Sequence, residues 1–169
     1  MIKYATPLLI TTSLVLAGCS KKAPEELPPA PVDTSTPAPT PTPSGPGYAP
    51  GSQGDFLANT MSDRILFDTD RFNVDSQDQL ILQSQARWLA QHPNARITIE
   101  GHADERGTRD YNLALGERRA NAAKNYLASL GVSPARMTTV SYGKERPEAL
   151  GSNESAWAQN RRAVSVVIR

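Results

Sequence analysis

The sequence predicts an α/β fold: a small β-α-β-α-β-β sandwich with about four strands in a mixed sheet and two main helices on one face. Three observations predict it. Across residues 96–100 apolar and polar side chains alternate strictly, the period of a strand with one buried face. From Ile81 to Leu89 apolar residues recur near helical spacing, the pattern of a helix lying on a core. Segments of both kinds follow one another along residues 54–169, a stretch long enough for one hydrophobic core.

Each element has its own local signal. Residues 64–67 (Arg-Ile-Leu-Phe) form a short apolar run between Asp63 and Asp68 and read as the first strand. Asp75-Ser76-Gln77-Asp78 supplies a capping side chain followed by acid in the first turn of a helix. That helix carries Ile81, Leu82, Ala86, Trp88 and Leu89 and stops by His92-Pro93. In the second strand, residues 96–100, Ile97 and Ile99 share the buried face. A second helix over about residues 111–130 has Leu113, Ala120, Ala123 and Leu127 at core spacing, with Gly131 just past its end. Residues 137–142 read as the third strand and 164–168 as the fourth, with a loop or short helix at 155–159 between them. Helical crossovers favour parallel pairing of consecutive strands, while strand order stays open.

The N-terminal third is of another kind. Residues 1–18 have a positive Lys3 and a mostly apolar stretch from Thr6 to Ala17, the length of a signal-peptide core and well short of the roughly 20 residues of a membrane span. Leu16-Ala17-Gly18-Cys19 resembles a bacterial lipobox, which makes Cys19 the expected lipidation site and new N-terminus. Several acyl chains on one residue anchor firmly, since each buried methylene contributes about 0.8 kcal/mol. Ser20 rather than Asp in the next position implies, by analogy, sorting to the outer membrane. Residues 19–53 hold ten of the 14 prolines, mixed with Thr, Ser, Ala and Gly. Such a segment has too little apolar surface to offset its ordering entropy. It reads as a disordered, semi-rigid tether, reaching on the order of 100 Å where it takes the extended polyproline form.

Composition excludes several classes. With 18 basic and 17 acidic side chains, no overall field points to nucleic acid. One cysteine rules out an internal disulfide and a Cys-rich metal cluster. Function instead concentrates between Gly101 and Ala120. Asp104 lies just past the second strand, and Asn112, Leu115 and Arg119 are spaced three and then four along one helical stripe. If the turn folds back, Asp104 faces Arg119. An exposed Asp–Arg pair of this kind is often only a surface ion pair worth about 0–1 kcal/mol. Alternatively, an anion site and a cation site a few ångströms apart match a zwitterionic ligand, with Arg gripping the carboxylate through two hydrogen bonds.

Gly101-His102-Ala103-Asp104, Gly107, Tyr111-Asn112, Leu115 and Arg118-Arg119-Ala120 resemble the signature of OmpA-like peptidoglycan-binding domains. Phe67-Asp68-Thr69-Asp70 and Asn160-Arg161-Arg162-Ala163-Val164 are similar to that family's first and last strands, so the resemblance covers residues 65–168. It implies a ligand, the meso-diaminopimelate of the peptidoglycan stem peptide. The family's Asp and Arg, which hold the ammonium and carboxylate of its D-centre, fall on Asp104 and Arg119. Its further contacts fall on Thr69, Asp70, Asn112 and Leu115. With a lipid anchor, the resemblance further implies an outer-membrane protein facing the periplasm that tethers membrane to wall. Lipid-anchored members also bind a periplasmic propeller protein, TolB, and Tyr142, Lys144, Glu145 and Arg146 are the candidate partner surface. Gly116 departs from the family's frequent Ser, with a small expected effect on binding.

The alternative is a cell-wall hydrolase or metal-dependent enzyme on the same fold. His102-x-Asp104 is suggestive, but the only other histidine, His92, belongs to the far end of the first helix. A catalytic zinc normally takes three protein ligands, so Asp68 or Asp70 would be needed. No Gly-x-Ser-x-Gly elbow or phosphate loop is present, and adjacent Asp104 and Glu105 make a poor glycosidase pair. No catalytic residue, metal or cofactor is therefore expected, and His102 reads as a hydrogen-bonded structural residue.

Overall fold

The computed structural model describes residues 47–168, so Cys19, the leader and nearly all of the Pro-rich segment lie outside the described residues. Helix α1 (Gln53–Asn59) precedes strand β1 (Arg64–Leu66), helix α2 (Ser76–Gln91) and strand β2 (Arg96–His102). Helix α3 (Arg109–Ser129), a 3-10 turn at Pro134–Arg136, strand β3 (Met137–Gly143), helix α4 (Glu154–Asn160) and strand β4 (Arg162–Ile168) complete the order. The α/β sandwich expected from the sequence is the fold found, with α2 and α3 on one face of a four-stranded mixed sheet.

Strand order is β1-β4-β2-β3. Only β2 and β3 pair in parallel, while β4 runs antiparallel between β1 and β2. The expectation that consecutive strands pair in parallel thus holds across α3 and fails across α2. A helix is about 10 Å wide and strands lie about 4.8 Å apart, so a helix crossing from one strand to another leaves room for a strand between them. The last strand fills that space, pairing Ile65 with Ala163 on one side and Ile99 with Ser165 on the other.

Local chemistry explains the boundaries. Asp75 Oδ1 accepts from the Asp78 amide at 2.8 Å, and Asp78 Oδ2 accepts from the Asp75 amide, closing a capping box at the start of α2. At the far end, Arg136 donates to the carbonyls of Leu89, His92 and Ala95, satisfying acceptors the helix leaves open. Helix α1 has no long apolar stripe and escapes sequence reasoning. It is fastened by Ser52 as its cap and by Phe56, fully buried edge-on against Trp88. Asp55 adds bonds to Trp88 Nε1 at 3.2 Å and His92 Nε2 at 3.1 Å.

The core forms where expected, from Leu82, Trp88 and Leu89 on α2, Ile97 and Ile99 on β2, and Ala120, Ala123 and Leu127 on α3. Leu113 is a correction: it is only half-buried, while the polar stripe through Asn112 and Arg119 turns inward together with Leu115. The reason is a close approach of α3 to the end of β2. A Cβ at residue 101 would collide with the carbonyl oxygen of Gly116, and one at residue 116 would meet Ser141 and Gly101. Two facing glycines let helix and strand backbones touch, which rolls the Asn112–Arg119 stripe toward the sheet. Gly116 is therefore a packing residue. Gly101→Ala should lower the unfolding free energy of the full chain by about 2–3 kcal/mol in urea titrations, because neither backbone can give way. A loss below about 0.5 kcal/mol would show the contact to be soft.

Candidate functional site

The site lies where the loop after β1, the turn after β2 and the start of α3 converge. Thr108 caps α3, its Oγ1 accepting from the Tyr111 amide at 3.2 Å. Gly107 makes the preceding turn at φ +86°, a left-handed conformation that costs other residues energy. Asn112 donates to the Arg106 carbonyl at 2.7 Å and pins the turn to the helix. On the opposite wall Asp70 also adopts a left-handed conformation, φ +57°, and accepts from the Tyr111 hydroxyl at 3.1 Å.

A cavity of about 470 Å³ opens between these walls, lined by Thr69, Asp70, Asp104, Asn112, Leu115 and Arg119, and also by Arg106, Gly107, Thr108 and Tyr111. All six residues named for ligand contact from the sequence thus come to one place, although Thr69 and Asp70 are more than 30 positions from the rest. His102 does not join them. The register shifts between Gly101 and His102, and only the His102 carbonyl turns toward Arg119. Its ring is fully buried against Tyr142, centroids 5.6 Å apart. Neither ring nitrogen finds a hydrogen-bond partner among the described residues, which corrects the expected hydrogen-bonded role. Burial, with the charges of Arg162 and Arg146, pushes the ring down to about 4, so it is neutral at physiological pH.

Asp104 and Arg119 share the cavity without pairing directly. Asp104 is 7% exposed and already has cationic company. Arg106 Nη2 lies 2.6 Å from Oδ2, and its Nε and amide each lie 3.1 Å from Oδ1. Arg161 Nη1 stands 3.5 Å from Oδ2. Burial alone would raise the Asp104 carboxyl, but the hydrogen bonds and charge of Arg106 outweigh it and hold the group below its ordinary 3.8. Sequence reasoning missed both arginines. Arg106 sits in a charged turn that reads as solvated surface, and Arg161 is far away in the chain.

Arg119 is fully buried beneath the cavity. Its Nε donates to the Arg71 carbonyl at 2.9 Å, Nη1 to His102 at 2.8 Å and Nη2 to Asp68 at 3.1 Å. Its guanidinium also lies 5.2 Å from the Phe67 ring centroid. Burial pulls the guanidinium down to about 10, with the Asp104 charge partly opposing, so it stays cationic at neutral pH. The candidate partner residues lie beside this site. Lys144 Nζ donates to the Gly107 carbonyl at 2.7 Å and to Glu105 at 3.1 Å. Glu145 pairs with Arg109 at 3.4 Å, and the Arg146 guanidinium stacks 3.7 Å from the Tyr142 ring centroid.

The OmpA family model matches residues 66–161. A peptidoglycan-associated lipoprotein of Agrobacterium fabrum is 50% identical over 161 residues, 95% of this chain and 85% of that one. The chain belongs to the OmpA family, among the peptidoglycan-associated lipoproteins. A relative of that name in Brucella melitensis is 49% identical over 92% of this chain and 86% of its own. The crystal structure of the peptidoglycan-associated lipoprotein from Burkholderia pseudomallei superposes with a TM-score of 0.62 at 49% identity, covering 67% of this chain and 93% of that one. The C-terminal domain of Helicobacter pylori MotB, at 20% identity and a TM-score of 0.58, shares the fold alone.

Because Arg119 serves three carbonyls, its removal must unsettle the fold as well as the cavity. Arg119→Ala should cost about 3 kcal/mol or more in urea unfolding of the full chain, since buried carbonyls lose a charged donor. Arg119→Lys should recover only part, because one ammonium cannot reach all three acceptors. A native-like midpoint for Arg119→Ala would show that the carbonyls find other donors.

Proposed function

We propose that this chain is an outer-membrane lipoprotein that holds the cell wall non-covalently, its cavity receiving the meso-diaminopimelate of the peptidoglycan stem peptide. The observation that carries the reading is a buried carboxylate and a buried guanidinium lining one cavity. Asp104 takes the ammonium of the ligand's D-centre, and Arg119 takes its carboxylate. Of the five N–H groups of a guanidinium, three on Arg119 serve carbonyls, leaving one on each terminal nitrogen for the ligand. Leu115 supplies an apolar wall for the carbon chain, and Thr69, Asp70 and Asn112 supply polar edges. Affinity comes from two charge contacts made together, which a lone amine or a lone acid does not provide.

The lipid on Cys19 fixes one end of the chain in the outer membrane, and the Pro-rich segment spans toward the wall. In this reading the protein couples envelope layers as part of the Tol–Pal system, in envelope integrity and cell division, and catalyses nothing. The segment carrying Tyr142 at the end of β3 and Lys144, Glu145 and Arg146 after it belongs to the contact with a TolB-like propeller, and the bonds of Lys144 to the cavity rim make wall and partner neighbours.

Two experiments test the proposal. In detergent, the full chain should be retained by purified sacculi without releasing soluble muropeptides, and Asp104→Asn should weaken retention about tenfold or more, the loss of a charge-assisted contact. Free diaminopimelate should displace the protein better than pimelate or pentane-1,5-diamine, each of which offers only one kind of charge, and retention should be flat from about pH 5 to 8, since Asp104 stays ionised well below that range. Equal displacement by pimelate or by the diamine would defeat the two-charge account, and release of fragments would assign an enzyme. Separately, Cys19→Ser should leave the protein soluble after its leader is removed; persistent membrane association would overturn the lipid anchor.

A further inference from the structure

Arg106 occupies the place on Asp104 that the proposed function assigns to a ligand's ammonium. Both carboxylate oxygens are engaged: Oδ1 by the Arg106 amide and Nε, Oδ2 by Arg106 Nη2 and, at longer range, by Arg161 Nη1. Among these groups only the Arg106 side chain is free to leave. Its amide belongs to a turn pinned by Asn112, and the Arg161 side chain is buried and tied to the Phe67 carbonyl at 2.8 Å and Glu154 at 2.7 Å. The Arg106 side chain, by contrast, is 39% exposed. Its guanidinium rests 4.2 Å from the Trp157 ring centroid and reaches the Thr69 hydroxyl at 3.4 Å. Trp157 is itself held by its Nε1 donating to Glu105 Oε1 at 3.0 Å.

We infer that Arg106 is a built-in competitor, a tethered cation that must leave Asp104 before a ligand's ammonium can bind. The inference rests on the reading that Asp104 receives that ammonium. Binding is then an exchange of one cation for another, and the apparent affinity is the intrinsic affinity scaled by the fraction of molecules in which the guanidinium has swung away. The exchange sharpens specificity. A simple amine gains at Asp104 only what Arg106 gives up, whereas a zwitterion adds a carboxylate contact at Arg119 that the arginine cannot make. The Trp157 ring and the charges of Glu154 and Asp70 keep the released guanidinium nearby, so the closed state re-forms once the ligand departs.

The test compares the full chain with Arg106→Gln, which keeps a polar side chain, though a shorter one, while removing charge. Two probes are titrated by calorimetry: meso-diaminopimelate, and the same molecule acetylated on its D-centre nitrogen. Arg106→Gln should bind free diaminopimelate ~3–10-fold more tightly, the value of a partly exposed ion pair no longer to be broken. Its binding should also weaken more steeply with added salt, because an ion pair is now formed rather than exchanged. Affinity for the acetylated probe should not rise. Weaker or unchanged binding of diaminopimelate by Arg106→Gln would overturn the inference, as would equal tightening of both probes, which would mean that the arginine merely fills space. Asp104→Asn separates the two readings. If it leaves diaminopimelate binding intact, the site assignment itself fails; if it abolishes binding while Arg106→Gln gives no gain, only the competitor falls.

Discussion

The burial of one guanidinium organises this domain. Arg119 is fully buried, so most of its donors must find acceptors within the protein, and three of them end on backbone carbonyls of Asp68, Arg71 and His102. Two of those carbonyls belong to the loop after β1 and the third to the end of β2. For the loop to turn the Asp68 and Arg71 oxygens toward one point, Asp70 adopts its left-handed backbone. That conformation keeps the Asp70 carboxylate at the cavity edge, within reach of Tyr111. The shape of the cavity and the fixing of the arginine beneath it are thus consequences of the same bonds.

The same device recurs elsewhere in the domain. Arg136 ties the end of α2 to the approach to β3, Arg161 bonds the Phe67 carbonyl while facing Asp104, and Arg162 reaches the carbonyls of Asn160 and Arg146. Arg136 and Arg162 join segments that the strand ladder does not join, while Arg161 reinforces the end of the β1–β4 pairing, where the Phe67 amide donates to the Arg161 carbonyl. A guanidinium suits the task because its planar fork carries several donors that one charge strengthens together. The arrangement also means that arginine substitutions here mix folding with function, and that Asp104, an acceptor on a turn, is the cleaner probe of binding.

Much of the site was legible in the sequence because its signals are local. Asp104 follows an alternating strand, and Asn112, Leu115 and Arg119 share a stripe by helical spacing, so their convergence needed only the turn to fold back. The expected boundaries of the helices and strands differ from those found by one or two residues, as capping side chains and breakers act over a few positions. Arg106 was not legible, since an arginine two positions past an aspartate in a charged turn looks the same whether it points to water or back onto the carboxylate. Helix α1 was hidden for another reason: a single buried Phe56 leaves no periodic pattern.

The sequence by itself determined the kinds and order of the elements other than α1, the packing faces of α2 and β2, and the two charged residues around which the cavity forms. Only the tertiary structure decided that β4 lies between β1 and β2, that Arg119 is buried, and that Asp104 is matched to Arg106 and Arg161. The physical reason is the nature of the partners. Periodicity and capping depend on neighbours a few residues away and leave a pattern in the side chains. The acceptors of Arg119 are backbone carbonyls up to 51 positions distant, and a carbonyl is the same group at every residue. Its selection leaves no mark in the sequence, because what selects it is where the folded chain brings it.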